Sequence, residues 1–397
     1  MNVDIRPQAV AGAPRPALPP LDWWLIGGAV ALLGFGLVMV ASASMPIGEK
    51  KAGDPFYYLY RHGIATGLGL AGALAVSQIP MARWEKAGPL LYAIGLGLLV
   101  LVLIPGVGVK ANGAMRWIPL GPFTLQGSEF MKLFLVIYIA GYLARRQVEV
   151  AHSFWGFAKP MLLLVVASAL IMEQPDFGTM AVLLATALGM LFLGGVALWQ
   201  FALLLGLAGS VLAGLVISYP YRLQRVTAFL NPWADAQNTG YQLSQALIAF
   251  GRGEWFGVGL GNGIQKQFYL PEAHTDFLMA VIGEEFGLLG SLMVIGLFAL
   301  IVWRAFRIGA AAEAQERRFA AYVAYGFGLW IGMQAFINIG VNVGLLPTKG
   351  LTLPLMSYGG NSIILACLVI AILARIDWET RCNAPLRELE RVKWARV

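Results

Sequence analysis

Apolar segments long enough to cross a lipid bilayer constrain this sequence more than any other feature. About 20 residues of helix span roughly 30 Å of hydrocarbon, and such segments recur from residue 22 to residue 376. Of the 397 residues, 58% are hydrophobic and only 12% are charged, whereas an ordinary soluble domain is about 25% charged. A soluble domain could not bury that much apolar surface. The sequence therefore predicts an all-α polytopic membrane protein.

The apolar runs and the breakers between them predict ten transmembrane helices. Their approximate ranges are 22–44, 57–79, 88–107, 125–144, 157–173, 177–194, 197–218, 277–303, 319–342 and 351–376. The connection at 219–276 is too long for a turn, so we expect a large extracellular loop between helices 7 and 8. The predicted layout is a ten-helix domain at 22–376 with cytoplasmic tails at 1–21 and 377–397.

Lysine and arginine residues predict the orientation, because they are enriched in the cytoplasmic segments of membrane proteins. Placing both termini in the cytoplasm puts more of them inside, including Arg304, Arg307 and Arg317 between helices 8 and 9. The first run also imitates a signal peptide that ends near Ala41-Ser42-Ala43, but its length favours an uncleaved anchor. The polar, non-repetitive stretches then all fall on the outer side, where we expect any chemistry.

A cluster of titratable residues lies at 269–287, YLPEAHTDFLMAVIGEEFG. Asp276 begins the eighth predicted helix, where a carboxylate either stabilises the helix end or acts as a general base with a raised pKa. Glu284 and Glu285 lie about 12 Å deeper, at 1.5 Å per residue. Charges at that depth need a partner or a proton. We interpret both as structural, with Lys132 of the fourth helix as a candidate partner.

Four cations on the predicted outer face could bind an anion together. They are Arg116, Arg252, Lys266 and Lys349. Each alone is typical of a residue that snorkels at the membrane surface, but together they suit a phosphate or pyrophosphate. The glycine-rich run at 251–263 lacks the pattern of a nucleotide-binding loop. Three scattered histidines and two cysteines indicate neither a metal site nor a disulfide framework.

Further polar residues complete the candidate site. The expected substrate contacts also include Gln126, Glu272, His274 and Tyr358, all in stretches assigned to the outer side. Glu129 lies three residues before Lys132 in the fourth predicted helix. We interpret this pair as intramembrane structural charges rather than as catalytic groups.

Five motifs stand out along the chain. They are NGAMRWI at 112–118, QPDFG at 174–178, AFGRGEWFGVGLG at 249–261, LPEAHTDF at 270–277 followed by GEEFG, and LPTKGLTLPLMSYGG at 346–360. These motifs resemble those of the SEDS family (shape, elongation, division and sporulation), the polytopic peptidoglycan polymerases, and the resemblance covers about 22–382. The stretches 269–276, 346–350 and 375–381 resemble the cell-division branch more than the elongation branch.

The resemblance implies a glycosyltransferase of the bacterial inner membrane that polymerises lipid II at the division septum and releases undecaprenyl pyrophosphate. Asp276 matches the family's catalytic aspartate. The implied partners are a class B penicillin-binding transpeptidase of the FtsI type and the divisome proteins FtsQ, FtsL and FtsB. No cofactor is implied with certainty, although Mg²⁺ or Mn²⁺ could assist with the pyrophosphate, and no metal ligands are assigned.

Three positions depart from the usual family pattern. Gly127 replaces a proline, Gly263 replaces a serine, and Asn361 replaces a serine. None of these changes removes a charged group. We expect the two glycines to loosen the local backbone. The three departures leave the resemblance to the family intact.

Other functions fit parts of the pattern. A lipid II flippase would also need many spans and intramembrane charges, but transporters commonly carry internal repeats and midplane sites. No repeat is evident here, and the polar motifs lie at the outer rim, which favours an enzyme. An elongation-type polymerase and a scaffold that binds only protein partners remain as further alternatives.

Overall fold

The computed structural model describes residues 21–394, except for 112–113, 122, 198, 204–205, 207–208, 211–213, 215–228 and 349. Its helices include α1 Trp23–Ala52, α2 Tyr57–Ser77, α3 Met81–Leu103, α4 Gly127–His152, α5 Phe154–Glu173, α6 Phe177–Leu193, α7 Tyr241–Gly253, α8 Leu278–Ala314, α9 Arg318–Asn342 and α10 Gly360–Trp394. Seven described helices, namely α1, α3, α4, α5, α8, α9 and α10, are long and apolar enough to cross a membrane. The prediction of a polytopic membrane protein is confirmed, and its described residues are mostly helical rather than all-α.

Several helix boundaries differ from the prediction. The third helix begins at Met81 rather than 88, because a polar turn after Pro80 extends it. It ends at Leu103, because Ile104 adopts the extended conformation that a residue preceding a proline favours. The α10 helix continues through the predicted C-terminal tail to Trp394. The predicted seventh span, 197–218, lies largely outside the described residues, as do the N-terminal residues up to 20.

The predicted tenth helix starts nine residues later than expected, at Gly360 instead of 351. The segment 351–359 is buried but not helical, because Pro354 interrupts any helix and Leu355 has a φ of 63°. This segment passes so close to α1 that a Cβ on Gly36 would lie 2.6 Å from the Cα of Met356. Apolar composition alone cannot distinguish such a buried irregular segment from a helix.

A small antiparallel sheet was also missed by the all-α prediction. Its strands are β1 Val109–Ala111, β2 Ala114–Leu120 and β3 Phe123–Gln126, in the order β1-β2-β3. Trp117 pairs with Gln126 and Ile118 pairs with Leu125. The sheet connects the end of α3 directly to the start of α4, so it lies over one end of the helix bundle.

The core of the bundle is built around α4 and α9. Of the 18 most apolar consecutive residues in each helix, 78% are buried in α4 and 67% in α9. The corresponding shares are only 28% in α3 and 33% in α8. The exposed side of α8 carries large apolar residues such as Leu288, Leu292 and Trp303. That distribution is expected when lipid, rather than water, surrounds the outer helices.

The α8 helix is broken at Gly287, which has φ 65° and ψ −157°. The loop that follows α7 replaces the helical hydrogen bonds lost at this break. Val258 N–H donates to the Glu284 carbonyl at 3.0 Å, and Leu288 N–H donates to the Glu254 carbonyl at 2.9 Å. A Cβ on Gly287 would lie 2.5 Å from the Gly257 nitrogen, so only glycine fits here.

Candidate active site

A cleft of about 850 Å³ lies among α2, the β-sheet, the starts of α4 and α6, the turn before α8, and the start of α10. Six residues predicted for the site line it, namely Arg116, Gln126, Glu129, Glu272, Asp276 and Tyr358. The structure therefore brings together side chains that are spread over more than 240 positions of sequence.

Asp276 lies in the turn that precedes α8, and contacts from three sides fix its position. Asn338 and Asn342 of α9 donate their side-chain amides to its backbone carbonyl at 2.9 and 3.0 Å. The turn is closed by Glu272, whose φ of 57° is left-handed and whose carbonyl accepts from Phe277 N–H. A Cβ on Gly350 would lie 3.1 Å from a carboxylate oxygen of Asp276, so the chain approaches this carboxylate closely.

The electrostatic surroundings of Asp276 favour its protonated form. Burial, followed by the negative charge of Glu272, raises the pKa of Asp276 from 3.8 to about 7. Asp176 adds to the increase, whereas the Arg116 guanidinium opposes it. A carboxyl with a pKa near neutrality exchanges its proton readily at physiological pH, which is the property that a general base requires.

Arg116 is bound to the turn between α5 and α6. Its Nε donates to the Gln174 carbonyl at 2.9 Å, its Nη2 donates to the Pro175 carbonyl, and its Nη1 lies 3.9 Å from Asp176. Asp176 caps α6 through the Thr179 N–H. Arg116 therefore positions the QPDFG turn at the edge of the cleft, and much of its donor capacity is already in use.

Asp176 also connects this turn to the start of α4. Ser128 Oγ donates to Asp176 Oδ2 at 3.0 Å, and the Gln126 amide lies 3.3 Å from the same oxygen. Gly127 stands between them and packs against α3, where a Cβ would come within 3.2 Å of Leu98. A side chain at position 127 would therefore crowd α3, and the loosening expected from this glycine stays a prediction.

Lys132 has a different partner from the predicted one. Its ammonium lies 2.8 Å from Glu129 Oε1 and donates to Gln334 Oε1 at 2.8 Å. The same ammonium lies 5.0 Å from the centroid of the Trp330 ring. The prediction that Lys132 pairs with the glutamates of α8 is wrong, because α4 faces α9 at this point. Glu129 Oε1 faces Lys132, whereas Oε2 is buried without a hydrogen-bond partner.

Arg252 and Lys266 do not line the cleft. Arg252 lies 2.7 Å from Glu284, and Lys266 lies 2.6 Å from Glu285, whose carboxylate also accepts from Ser42 of α1. Both cations are therefore placed against the buried glutamates rather than among the cleft residues. The interpretation of Glu284 and Glu285 as buried charges agrees with their exposures of 0% and 1%.

Gly263 belongs to the same buried cluster. A Cβ at this position would lie 2.9 Å from Glu284 and 3.0 Å from Glu285. The missing side chain therefore leaves room for the two carboxylates. Lys349, the fourth predicted cation, lies outside the described residues.

His274 and Tyr358 form an aromatic wall next to the turn that holds Asp276. Their ring centroids are 5.5 Å apart, and Tyr58 lies 4.8 Å from His274 and 5.2 Å from Tyr358. Tyr358 N–H donates to the His274 carbonyl. Burial lowers the pKa of His274, so its neutral ring packs as part of the wall rather than as a charged ligand.

Some cleft residues were not predicted from the sequence. They are Tyr57, Arg61, His62, Thr124, Asp176, Asn361 and Ser362, among others. Arg61 was overlooked because it lies inside a predicted apolar span, although a charge there is itself a signal of function. Asn361 donates to the Thr124 carbonyl at 2.8 Å, so this departure from the family pattern connects α10 to the β-sheet.

Comparisons with known proteins agree with this architecture. The family model described as "Cell cycle protein", which covers FtsW, RodA and SpoVE, matches residues 23–382. The chain belongs to this SEDS family. It is 58% identical over 374 residues to a probable peptidoglycan glycosyltransferase FtsW from Nitrosococcus halophilus, an alignment that covers 94% of this chain and 95% of that protein.

Solved structures share the fold of this SEDS protein. A chain in a study of the coordination of polymerization and crosslinking by a peptidoglycan synthase complex has a TM-score of 0.73 and 30% identity, covering 91% of this chain and 98% of that one. The crystal structure of the rod shape determining protein RodA from Thermus thermophilus has a TM-score of 0.67 and 30% identity, covering 90% and 96%.

The described part of this SEDS chain contains no dedicated metal site. No group of three or more His, Cys, Asp or Glu side chains there could hold a metal ion. The cleft instead offers one carboxyl with a near-neutral pKa, a second carboxylate with an unpaired oxygen, and two arginines. This set suits proton transfer beside an anionic leaving group.

Proposed function

We propose that this protein is a peptidoglycan glycosyltransferase that polymerises lipid II at the division septum. The observation that carries the proposal is Asp276, held in a cleft of about 850 Å³ with a pKa of about 7. The relatives named as probable FtsW glycosyltransferases support the same activity. The division role, rather than elongation, rests on the FtsW naming of these relatives.

In the proposed reaction, Asp276 takes the proton from the 4-hydroxyl of the acceptor sugar as that oxygen attacks the donor anomeric carbon. A new glycosidic bond forms, the bond from this carbon to undecaprenyl pyrophosphate breaks, and the leaving group departs with the electron pair. A single displacement inverts the anomeric centre through an oxocarbenium-like state. Positive charge at the cleft stabilises the pyrophosphate.

The proposed placement in the cell follows the sequence expectations. The protein has ten transmembrane helices, and both termini lie in the cytoplasm. The large loop at 219–276, which includes α7, joins the seventh and eighth predicted spans on the extracellular side of the membrane. It lies in the bacterial inner membrane and works with a class B penicillin-binding transpeptidase and with FtsQ, FtsL and FtsB. The similarity to a chain of a peptidoglycan synthase complex supports a synthase partner.

The decisive test replaces Asp276 with Asn, which keeps the size of the side chain and removes its basicity. Purified protein with its transpeptidase partner is incubated with labelled lipid II in detergent, and glycan chains are separated by length. We expect Asp276→Asn to lose polymerisation, while Asp235→Asn, a half-buried aspartate in the loop outside the cleft, keeps it. Normal glycan from a folded Asp276→Asn protein contradicts the general-base role.

The same protein reconstituted in vesicles separates the alternative functions. Polymer formation supports the enzyme. Translocation of labelled lipid II across the bilayer without polymer supports a flippase instead, and neither activity indicates a scaffold.

A further inference from the structure

Two large aromatic side chains are exposed beside the break in α8. They are Trp255 and Phe256, in the loop that follows α7, and their exposed fractions are 65% and 78%. The Trp255 carbonyl accepts from Leu289 N–H at 3.2 Å, and the preceding Glu254 carbonyl accepts from Leu288 N–H at 2.9 Å. Trp255 and Phe256, the aromatic tip of the loop, therefore lie next to the part of α8 that follows the break.

The depth of the aromatic tip in the membrane can be measured along α8. The other end of this helix is marked by Arg304, which pairs with Asp22, and by the exposed Trp303, because tryptophan is enriched at membrane boundaries. From Arg304 to Leu288 the helix rises about 24 Å, and a typical tilt of about 20° shortens this rise only slightly. The hydrocarbon layer is about 30 Å thick, so the aromatic tip lies about 6–8 Å inside its opposite boundary.

The α1 helix gives a second measure of depth. From Asp22 to Ser42 the helix rises about 30 Å, and the Lys266 ammonium donates to Ser42 Oγ at 2.7 Å. Lys50, about 42 Å above Asp22, lies 4.6 Å from the Phe268 ring centroid. The loop therefore rises from the hydrocarbon layer at the aromatic tip, through its boundary at Lys266, to the headgroup region at Phe268.

The backbone of the loop is hydrogen-bonded within the protein at the depth of the aromatic tip. Val258 and Gly259 donate their N–H groups to the carbonyls of Glu284 and Glu285, both at 3.0 Å. Irregular backbone is tolerated at membrane depth only where the protein itself satisfies its polar groups. The loop meets this condition.

The cations of the loop are also paired within the protein. Arg252 lies 2.7 Å from Glu284, and Lys266 lies 2.6 Å from Glu285. Glu254 is exposed, but interfacial segments lie only about 5–10 Å deep, which leaves a flexible carboxylate close to the headgroups. The largest apolar groups that the loop exposes at this depth are those of the aromatic tip.

We propose that the aromatic tip inserts into the outer leaflet and contacts phospholipid acyl chains just below the headgroups. The tip continues the lipid-facing surface of α8, where Leu288 and Leu292 are 42% and 50% exposed. Its depth is that of an interfacial segment, and its residue types are those found at membrane boundaries. The contact holds the loop after α7 at a fixed depth. It involves bulk membrane lipid, so it goes beyond the proposed reaction and requires only the proposed orientation.

The depth of the tip is tested by fluorescence quenching in the full-length protein. Cys367 and Cys382 are first replaced by Ala and Ser, and Phe256→Cys then carries an environment-sensitive NBD label. The protein is reconstituted in vesicles of phosphatidylethanolamine and phosphatidylglycerol whose acyl chains are brominated either in the upper or in the lower half. Leu292→Cys, about 18 Å above Arg304, and Lys51→Cys, about 44 Å above Asp22, are the controls for the bilayer interior and for water.

We expect the label in Phe256→Cys to be quenched about twofold more strongly by upper-chain than by lower-chain bromine, as an interfacial depth requires. Leu292→Cys should show the reverse order, and Lys51→Cys should show little quenching by either lipid. Quenching in Phe256→Cys that is no stronger than in Lys51→Cys overturns the proposal. The melting temperature shows that each variant is folded, and Trp255→Cys provides a second position on the tip.

A protein partner is the other occupant that could cover the aromatic tip. The quenching is therefore repeated with the transpeptidase partner reconstituted in the same vesicles. Quenching that persists supports the lipid contact, whereas quenching that the partner abolishes overturns it, because the tip would then be a protein interface. The readout needs no catalysis, so it gives the same answer in an Asp276→Asn background and stands or falls separately from the proposed reaction.

Discussion

The raised pKa of Asp276 gives the reaction a pH dependence that can be calculated. A general base acts in its unprotonated form, so the rate falls as the pH drops below the pKa. With a pKa of about 7, about one-tenth of the base is unprotonated at pH 6 and about nine-tenths at pH 8. The rate should therefore increase about tenfold between these values. An aspartate with the ordinary pKa of 3.8 would give almost no change over the same interval.

Replacing Glu272 with Gln tests the cause of this pKa. The Glu272 carboxylate is the second-largest contribution to the raised pKa of Asp276, after burial. Glu272→Gln removes its negative charge while keeping its shape. The ionised form of Asp276 then becomes more favourable, its pKa falls, and the acid limb of the profile moves to lower pH. The remaining burial keeps that limb above the pH expected for an exposed aspartate.

The assay is the initial rate of polymerisation at saturating lipid II, measured from pH 5.5 to 8.5 at constant ionic strength. Asp235→Asn serves as the reference for effects of pH on the substrate and the partner. An acid limb that stays in place or moves to higher pH in Glu272→Gln refutes the assigned cause. A flat profile down to pH 5.5 in the unmodified protein refutes the buried base itself.

Three further substitutions test the packing around the site, each by the melting temperature of the purified protein in detergent. Lys266→Met leaves Glu285 buried without its cation and should lower stability by about 3–5 kcal/mol, whereas an equal melting temperature would show that the pair is not formed. Asn361→Ser removes the hydrogen bond to the Thr124 carbonyl and should lower the free energy of unfolding by about 1 kcal/mol. An unchanged melting temperature would show that this hydrogen bond does not stabilise the protein. Gly287→Ala forces a Cβ into a left-handed position 2.5 Å from a backbone nitrogen and should destabilise by more than about 1 kcal/mol. A stable Gly287→Ala protein would refute the close approach.

The sequence predicted the local features of this molecule better than its long-range pairs. Apolar runs located most helices, because a bilayer requires continuous apolar segments. Asp276 was placed at the start of a helix from its position before an apolar run, and the structure puts it one residue before the N-cap of α8. The segment 351–359 was misassigned, because burial inside protein and burial in lipid select the same residues.

The pairing of charges could not be deduced in the same way. Arg252 lies in the last turn of α7 and Lys266 lies in the loop that follows. The sequence contains no information about which surface these segments contact. The structure brings both against α8, where Glu284 and Glu285 require cations. Arg61 was missed for the opposite reason, since its apolar neighbours in α2 obscured its position at the cleft. The ion-pair partners of Arg252 and Lys266 and the position of Arg61 at the cleft both depend on tertiary contacts, which the sequence pattern does not reveal.

The break in α8 determines which part of the protein holds Asp276, the proposed general base. The turns at 278–286 are hydrogen-bonded to the loop at 254–259 across the break, and Asp276 adjoins those turns. The carbonyls of Glu254 and Trp255 in the same loop also accept from Leu288 and Leu289 after the break, so the loop joins the two segments of α8. The position of Asp276 therefore depends on the loop at 254–259 as well as on the helix that follows it.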